Sequence, residues 1–203
     1  MSTSDTFPEQ APGLLSIGHS NHAFDDLVKL LKMHRVEAVA DVRSSPHSGF
    51  NPQFNRQDLR HGLKAAGIRY VFLGEELGGR PEGAEFYDSD SRVQYGRVAE
   101  TVLFQSGLRR LVEAGNRYRT AILCSEEDPV GCHRYLLITR ALSNQGVEVI
   151  HIRGDGALQR PQELPSFDPE YREATLFGEE VRSSWRSTRS ASPRSRPKTS
   201  SRR

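Results

Sequence analysis

Two cysteines in 203 residues are too few for a disulfide framework, so a reducing, cytoplasmic setting is expected. No apolar run approaches the roughly 18 to 20 residues that a membrane-spanning helix needs. The first basic residue is Lys29, so the GLLSI run at 13–17 lacks the positive flank of a secretory signal. The GxGxxG fingerprint and the GxxxxGK[ST] loop are both missing, and no cofactor is expected. Acids are missing altogether from residues 181–203, VRSSWRSTRSASPRSRPKTSSRR, which carry eight Arg or Lys. That leaves 20 basic against 26 acidic residues over 1–180, so the net charge of +2 conceals an acidic body and a basic tail.

Strand and helix patterns alternate along the body. Strands are expected at 14–18 (LLSIG), 36–42 (VEAVADV), 69–73 (RYVFL), 119–124 (RTAILC) and 147–152 (VEVIHI). Between them the spacing predicts helices: one through Phe24, Leu27, Leu30 and Leu31, one from Asn55 to Ala66, one over 93–114 with a break near Gly107, and one over 133–144. The segment DPEYREATLFGEEV (168–181) reads as one further helix, and 74–83 as a loop. The implied fold is α/β: a single open, mostly parallel sheet of about five strands with helices on both faces. Strand order does not follow from the pattern. Residues 1–12 read as a disordered lead, 13–180 as the domain, and 181–203 as a disordered Ser/Arg-rich tail.

The unusual residues fall after strands: GHSN after the first, DVRSSPHS at the end of the second, LGEELGGR after the third and CSEEDPVGCHR after the fourth. Ligands of open parallel sheets sit at the carboxyl ends of the strands, so these loops point to one site. Together SIGHSN, VADVRSSPHS, GIRYVFLGEELGGR, LCSEEDPVGCHRYLL and VEVIHIRGDG resemble the uncharacterised family called domain of unknown function 488, from about Leu15 to Gly156. The resemblance implies an α/β fold and an enzyme-like pattern but no reaction. Its recurrent positions fall on His19, Ser20, Asp41, Arg43, Pro46, Ser48, Tyr70, Gly74, Leu77, Gly78, Gly79, Cys124, Glu126, Cys132, His133 and Arg134.

Read residue by residue, the candidates divide by chemistry. Cys132 opens a helix, where unpaired N–H groups favour a thiolate, and His133 and Arg134 would favour it further. The acids at 126–128 oppose that, and a packed thiol is the alternative. Cys124 ends a strand, as the catalytic cysteine of rhodanese-like sheets does. No Arg follows six residues later, so a packed strand-end cysteine is the better reading. A Cys124–Cys132 disulfide would act as a redox switch. A metal is not expected, because the CxxC and HxxxH spacings are absent and adjacent helical residues such as Cys132 and His133 point about 100° apart.

Glu126 is the candidate general acid or base, with His133 as partner and His19 as rival. Asp41 and Arg43 share one face of a strand end and suit a ligand or a structural ion pair. Arg43, Arg80 and Arg134 make an anion clamp if they converge. Gly78 and Gly79 admit close approach of a ligand to the backbone, and Ser20, Ser48, Tyr70 and Cys124 complete the expected binding set.

Two functions follow. The first is an enzyme acting on a small anionic, nucleotide-like substrate at the carboxyl edge of the sheet. The second is a non-catalytic module whose tail holds nucleic-acid phosphates, with Trp185 stacking on a base, and whose body binds a protein. No membrane partner is expected.

Overall fold

A computed structural model describes residues 13–165 and 185–194, together with the backbone of 172–175 and 178–181. Five strands run parallel: β1 (Gly13–Gly18), β2 (Ala38–Asp41), β3 (Arg69–Phe72), β4 (Arg119–Cys124) and β5 (Val149–Ile152). A two-residue strand, β6 (Leu158–Gln159), adds antiparallel to β5. The order across the sheet is β3-β2-β4-β1-β5-β6, so the expected α/β sheet is present with six strands. The whole of β2 and β5, and all of β1 and β4 but the first residue of each, lies buried, as for a parallel sheet covered on both faces.

Helix α1 (Phe24–Met33) covers one face with Leu27, Leu30 and Leu31, and α2 (Arg56–Ala65) joins it there with Leu59 and Leu63. Asp25 and Asp26 complement the dipole at the start of α1. A single turn, α3 (Gly74–Leu77), lies within the expected loop 74–83. The pattern over 93–114 divides at Glu100–Thr101, into α4 (Tyr95–Ala99) and α5 (Val102–Arg117). The divide is set by Thr101, whose Oγ1 accepts the Phe104 N–H and starts a new helix. Gly107 interrupts nothing. A Cβ there would lie 2.5 Å from Glu76 Cβ, so glycine lets α5 pass close to α3.

The helix expected over 133–144 begins as a π-turn, Arg134–Thr139, and continues as α6 (Arg140–Ser143). Both pack with α5 on the second face, through Leu108, Leu111, Leu137 and Leu142. The connections leaving β1 and β2 cross the sheet in one direction and those leaving β3 and β4 in the other. Right-handed crossovers place the two sets on opposite faces. Because β4 lies between β2 and β1, the chain after Cys124 rises from a crevice between two loops that turn away from it.

Among the described residues of 168–181, strands stand where a helix was predicted. There β7 (Arg172–Thr175) pairs antiparallel with β8 (Gly178–Val181); Gly178 inside the segment disfavours helix by about 1 kcal/mol. The remainder of 168–181, the lead 1–12 and positions 195–203 lie outside the described residues. Residues 185–194, expected as part of a disordered tail, lie along the domain. Trp185 Nε1 donates to Leu136 O at 2.6 Å, and the Arg140 guanidinium stacks on the indole. Ser187 exchanges bonds with Val93, its N donating to Val93 O and its Oγ accepting from Val93 N, each at 2.9 Å. Among the described residues, no helix is long and apolar enough to cross a membrane.

Candidate functional site

Three of the four nominated loops, those after β2, β3 and β4, meet in one cleft. Strand pairing runs on past the sheet: His19 N donates to Cys124 O at 3.0 Å and Val42 N to Leu123 O at 3.1 Å. Gly18 makes room for the loop after β4, since a Cβ there would collide with Glu126 O. The result is a cleft of about 410 Å³ lined by Arg43, Ser44, Gly79, Arg80, Cys124, Glu126 and His133, with Tyr95 and Arg189 from outside the motifs.

Cys124 lies at its floor. Its Sγ is 3.5 Å from His133 Nδ1 and donates as a thiol to Glu126 Oε2 at 3.1 Å. Cys132 Sγ approaches the same Nδ1 at 3.9 Å, and the three donor atoms lie within 4.8 Å of one another. His133 Nε2 donates to Val42 O at 3.0 Å, which leaves Nδ1 facing both sulfurs. Gly79 permits this pose, because a Cβ there would sit 2.6 Å from His133 Cγ. The expected divergence of Cys132 and His133 is not found. Cys132 precedes the π-turn instead of lying within a helix. Neither cysteine is in a disulfide.

The two thiols are electrostatically unequal. Burial pushes the Cys124 thiol up, but the Cys132 S–H, the His133 ring and Arg134 together carry it well below the ordinary value. Burial raises the Cys132 thiol, and donating to Cys124 raises it further. Burial alone would lower His133, yet the Cys124 thiolate, Glu126 and the bond to Val42 hold it above its usual value. The arrangement therefore favours thiolate on Cys124 and imidazolium on His133. The sequence reading weighed Cys132 as nucleophile or packed thiol; the lowered thiol is Cys124 and the raised one Cys132.

Several other nominees are spent on structure. Arg43 and Asp41 form a buried bidentate pair, Nε to Oδ1 at 2.9 Å and Nη2 to Oδ2 at 2.7 Å. Tyr70 OH donates to Asp41 Oδ2 at 2.8 Å, Arg43 Nη2 also donates to Phe54 O, and Nη1 donates to His19 Nε2 at 3.0 Å. His19 therefore accepts at Nε2 and donates from Nδ1 to Ser20 O, and burial with Arg43 beside it lowers its pKa to about 4. It is a neutral ring outside the cleft lining, unsuited to move protons near neutrality.

Arg134 is fully buried and donates to the carbonyls of Glu126 and Glu127, bracing the loop. The three arginines thus form no clamp: Arg43 and Arg134 serve the protein, and only Arg80 turns outward. Ser48 accepts from Phe50 N and Asn51 N, and Ser20 bonds Asn21, both away from the cleft. Gly78 clears Ser44 Oγ, and that oxygen accepts Arg80 N at 2.9 Å.

Sequence reasoning missed Ser44, Tyr95 and Arg189. Ser44 directly follows a nominated arginine, but Tyr95 and Arg189 carry no motif. Arg189 arrives with the segment laid along the domain. Trp185, offered by the sequence to a nucleic-acid base, is instead held by Leu136 and Arg140. A larger groove of about 840 Å³ runs along β3, past Arg60, Lys64, Tyr70 and Arg117. It holds no thiol and no imidazole, so it offers no comparable chemistry.

A family model described as "Domain of unknown function DUF488" matches residues 23–141, which include every residue of the Cys124, Glu126, Cys132 and His133 cluster. No match is found among curated proteins or among solved structures.

Proposed function

This chain belongs to the DUF488 family, and from that premise we propose a cysteine-dependent enzyme that acts on a small anionic substrate in the cleft. The observation that carries the reading is the 3.5 Å approach of His133 Nδ1 to Cys124 Sγ on the floor of an open pocket. A thiolate beside an imidazolium is the activated form of a cysteine nucleophile. At the mouth, Arg80 and Arg189 line the pocket, and neither guanidinium has a partner among the described residues. Two free guanidinium groups suit a carboxylate or a phosphate.

In the reaction, Cys124 Sγ gives its electron pair to an electrophilic centre of the substrate. The leaving group departs with its bonding pair and takes the proton from His133 Nδ1. In the protonated form Glu126 Oε2 holds the Cys124 S–H, and passing that proton to His133 Nδ1 gives the reactive pair.

Iodoacetate and iodoacetamide test this together, since they share a leaving group and differ in charge. At neutral pH both label Cys124 before Cys132, read by peptide mass spectrometry. Arg80→Ala and Arg189→Ala each lower the iodoacetate-to-iodoacetamide rate ratio at Cys124. Preferential labelling of Cys132, or a ratio that neither substitution changes, would refute the proposal.

A further inference from the structure

The cluster that activates Cys124 also has the donor set of a metal site. We infer that Cys124, Cys132 and His133 bind one zinc ion, and that the ion and the thiolate chemistry of Cys124 exclude one another. The exclusion rests on the proposed role of Cys124; the metal site itself does not. A tetrahedral zinc with Zn–S near 2.3 Å and Zn–N near 2.0–2.1 Å holds its sulfur and nitrogen ligands about 3.5 Å apart. Here Cys124 Sγ and Cys132 Sγ stand 3.5 and 3.9 Å from His133 Nδ1, already at that spacing. All three donors lie within 4.8 Å of one another.

The supporting shell is in place as well. His133 Nε2 donates to Val42 O at 3.0 Å, the bond that orients a metal-binding imidazole and keeps the opposite nitrogen as donor. Arg134 N points to Cys132 Sγ at 3.5 Å and steadies a charged sulfur. Two thiolates and an imidazole suit zinc over magnesium or calcium. Glu126, whose Oε2 is 3.1 Å from Cys124 Sγ, lines the same cleft. Binding releases the Cys132 S–H proton and the His133 Nδ1 proton to solvent. The bound ion takes the electron pair with which Cys124 would attack, so a loaded site is chemically silent.

The experiment titrates zinc sulfate into full-length, chelator-stripped protein against a chromogenic chelator, under a non-thiol reductant. One equivalent is expected to bind, and alkylation of Cys124 by iodoacetamide is expected to stop at the same equivalence point. Cobalt(II) in place of zinc is expected to give thiolate-to-metal charge transfer and tetrahedral d–d bands. Cys132→Ser is expected to weaken zinc by more than about 100-fold, beyond the loss typical of a supporting residue. In that variant, one equivalent of zinc is expected no longer to stop alkylation of Cys124.

Zinc that leaves Cys124 alkylation unchanged in the native chain would overturn the inference, as would a Cys132→Ser variant that binds as tightly as the native protein. An unreactive Cys124 in the metal-free native protein would instead count against the proposed enzyme, with zinc binding judged separately by the cobalt spectrum.

Discussion

Acid should unfold this protein through His151, which the site does not use. The ring lies fully buried on β5, with Nδ1 2.6 Å from Ser16 Oγ of β1 and the edge of Tyr135 near its face. Its Nε2 has no partner among the described residues. Burial, with the cations of Arg134 and Arg153 nearby, lowers its pKa from 6.5 to about 3. The folded chain therefore holds the ring neutral while the unfolded chain protonates it from about pH 6.5 downward. Stability from this group is complete above that pH and falls as pH drops toward 3. A full shift of this size corresponds to about 5 kcal/mol, of which about 2 kcal/mol is lost by pH 5.

His151→Asn keeps an amide for Ser16 Oγ and removes the titration. Urea unfolding of both proteins at about pH 7.5 and about pH 5 gives four free energies. The native protein should lose about 2 kcal/mol more than the variant across that interval. Equal losses in the two proteins would refute the account of a neutral buried ring.

His19 should add a loss of the same sign: its pKa is also depressed, to about 4, so His19→Gln should likewise flatten the stability profile between about pH 6.5 and 4. Asp41→Asn leaves Arg43 buried without its counterion and should cost about 3–5 kcal/mol by thermal or urea unfolding. Tyr70→Phe, which removes one bond to the same carboxylate, should cost about 1–2 kcal/mol in the same assay. Gly79→Ala should displace the His133 ring and slow iodoacetamide labelling of Cys124 at neutral pH while far-ultraviolet circular dichroism is unchanged.

The five parallel strands were legible because each is a short apolar run bounded by polar or turn residues. Their order was not, because it depends on which faces the helices cover. Thr101 was legible as a cap only in retrospect: the apolar spacing of 93–114 continues through it, and Gly107 is the more conspicuous interruption. The cluster of Cys124, Glu126, Cys132 and His133 was nominated complete, since all four sit in one loop motif. Its internal roles were hidden by a helix assumption. Cys132 lies before the π-turn, so its sulfur and the neighbouring imidazole converge where helical geometry would separate them. Arg134 looked like an anion ligand because an arginine beside a thiol invites that reading. Only coordinates reveal that two backbone carbonyls already claim its guanidinium. Arg189 was invisible for another reason: its segment is polar and Ser-rich, and it is held by Trp185 and by bonds to Val93 and Ser91 that no pattern announces.

That segment also sets an order of events during synthesis. The thiols, the imidazole and Arg80 are all encoded by residue 133, but another part of the cleft lining comes from 187–191, paired back to 91–93. A ribosome must therefore translate well past the reactive loop before the pocket is enclosed. A chain that ends anywhere between them lacks that part of the lining. The interval in which the cleft stays incomplete is thus set by how late this segment comes in the chain, as a matter of timing on the ribosome.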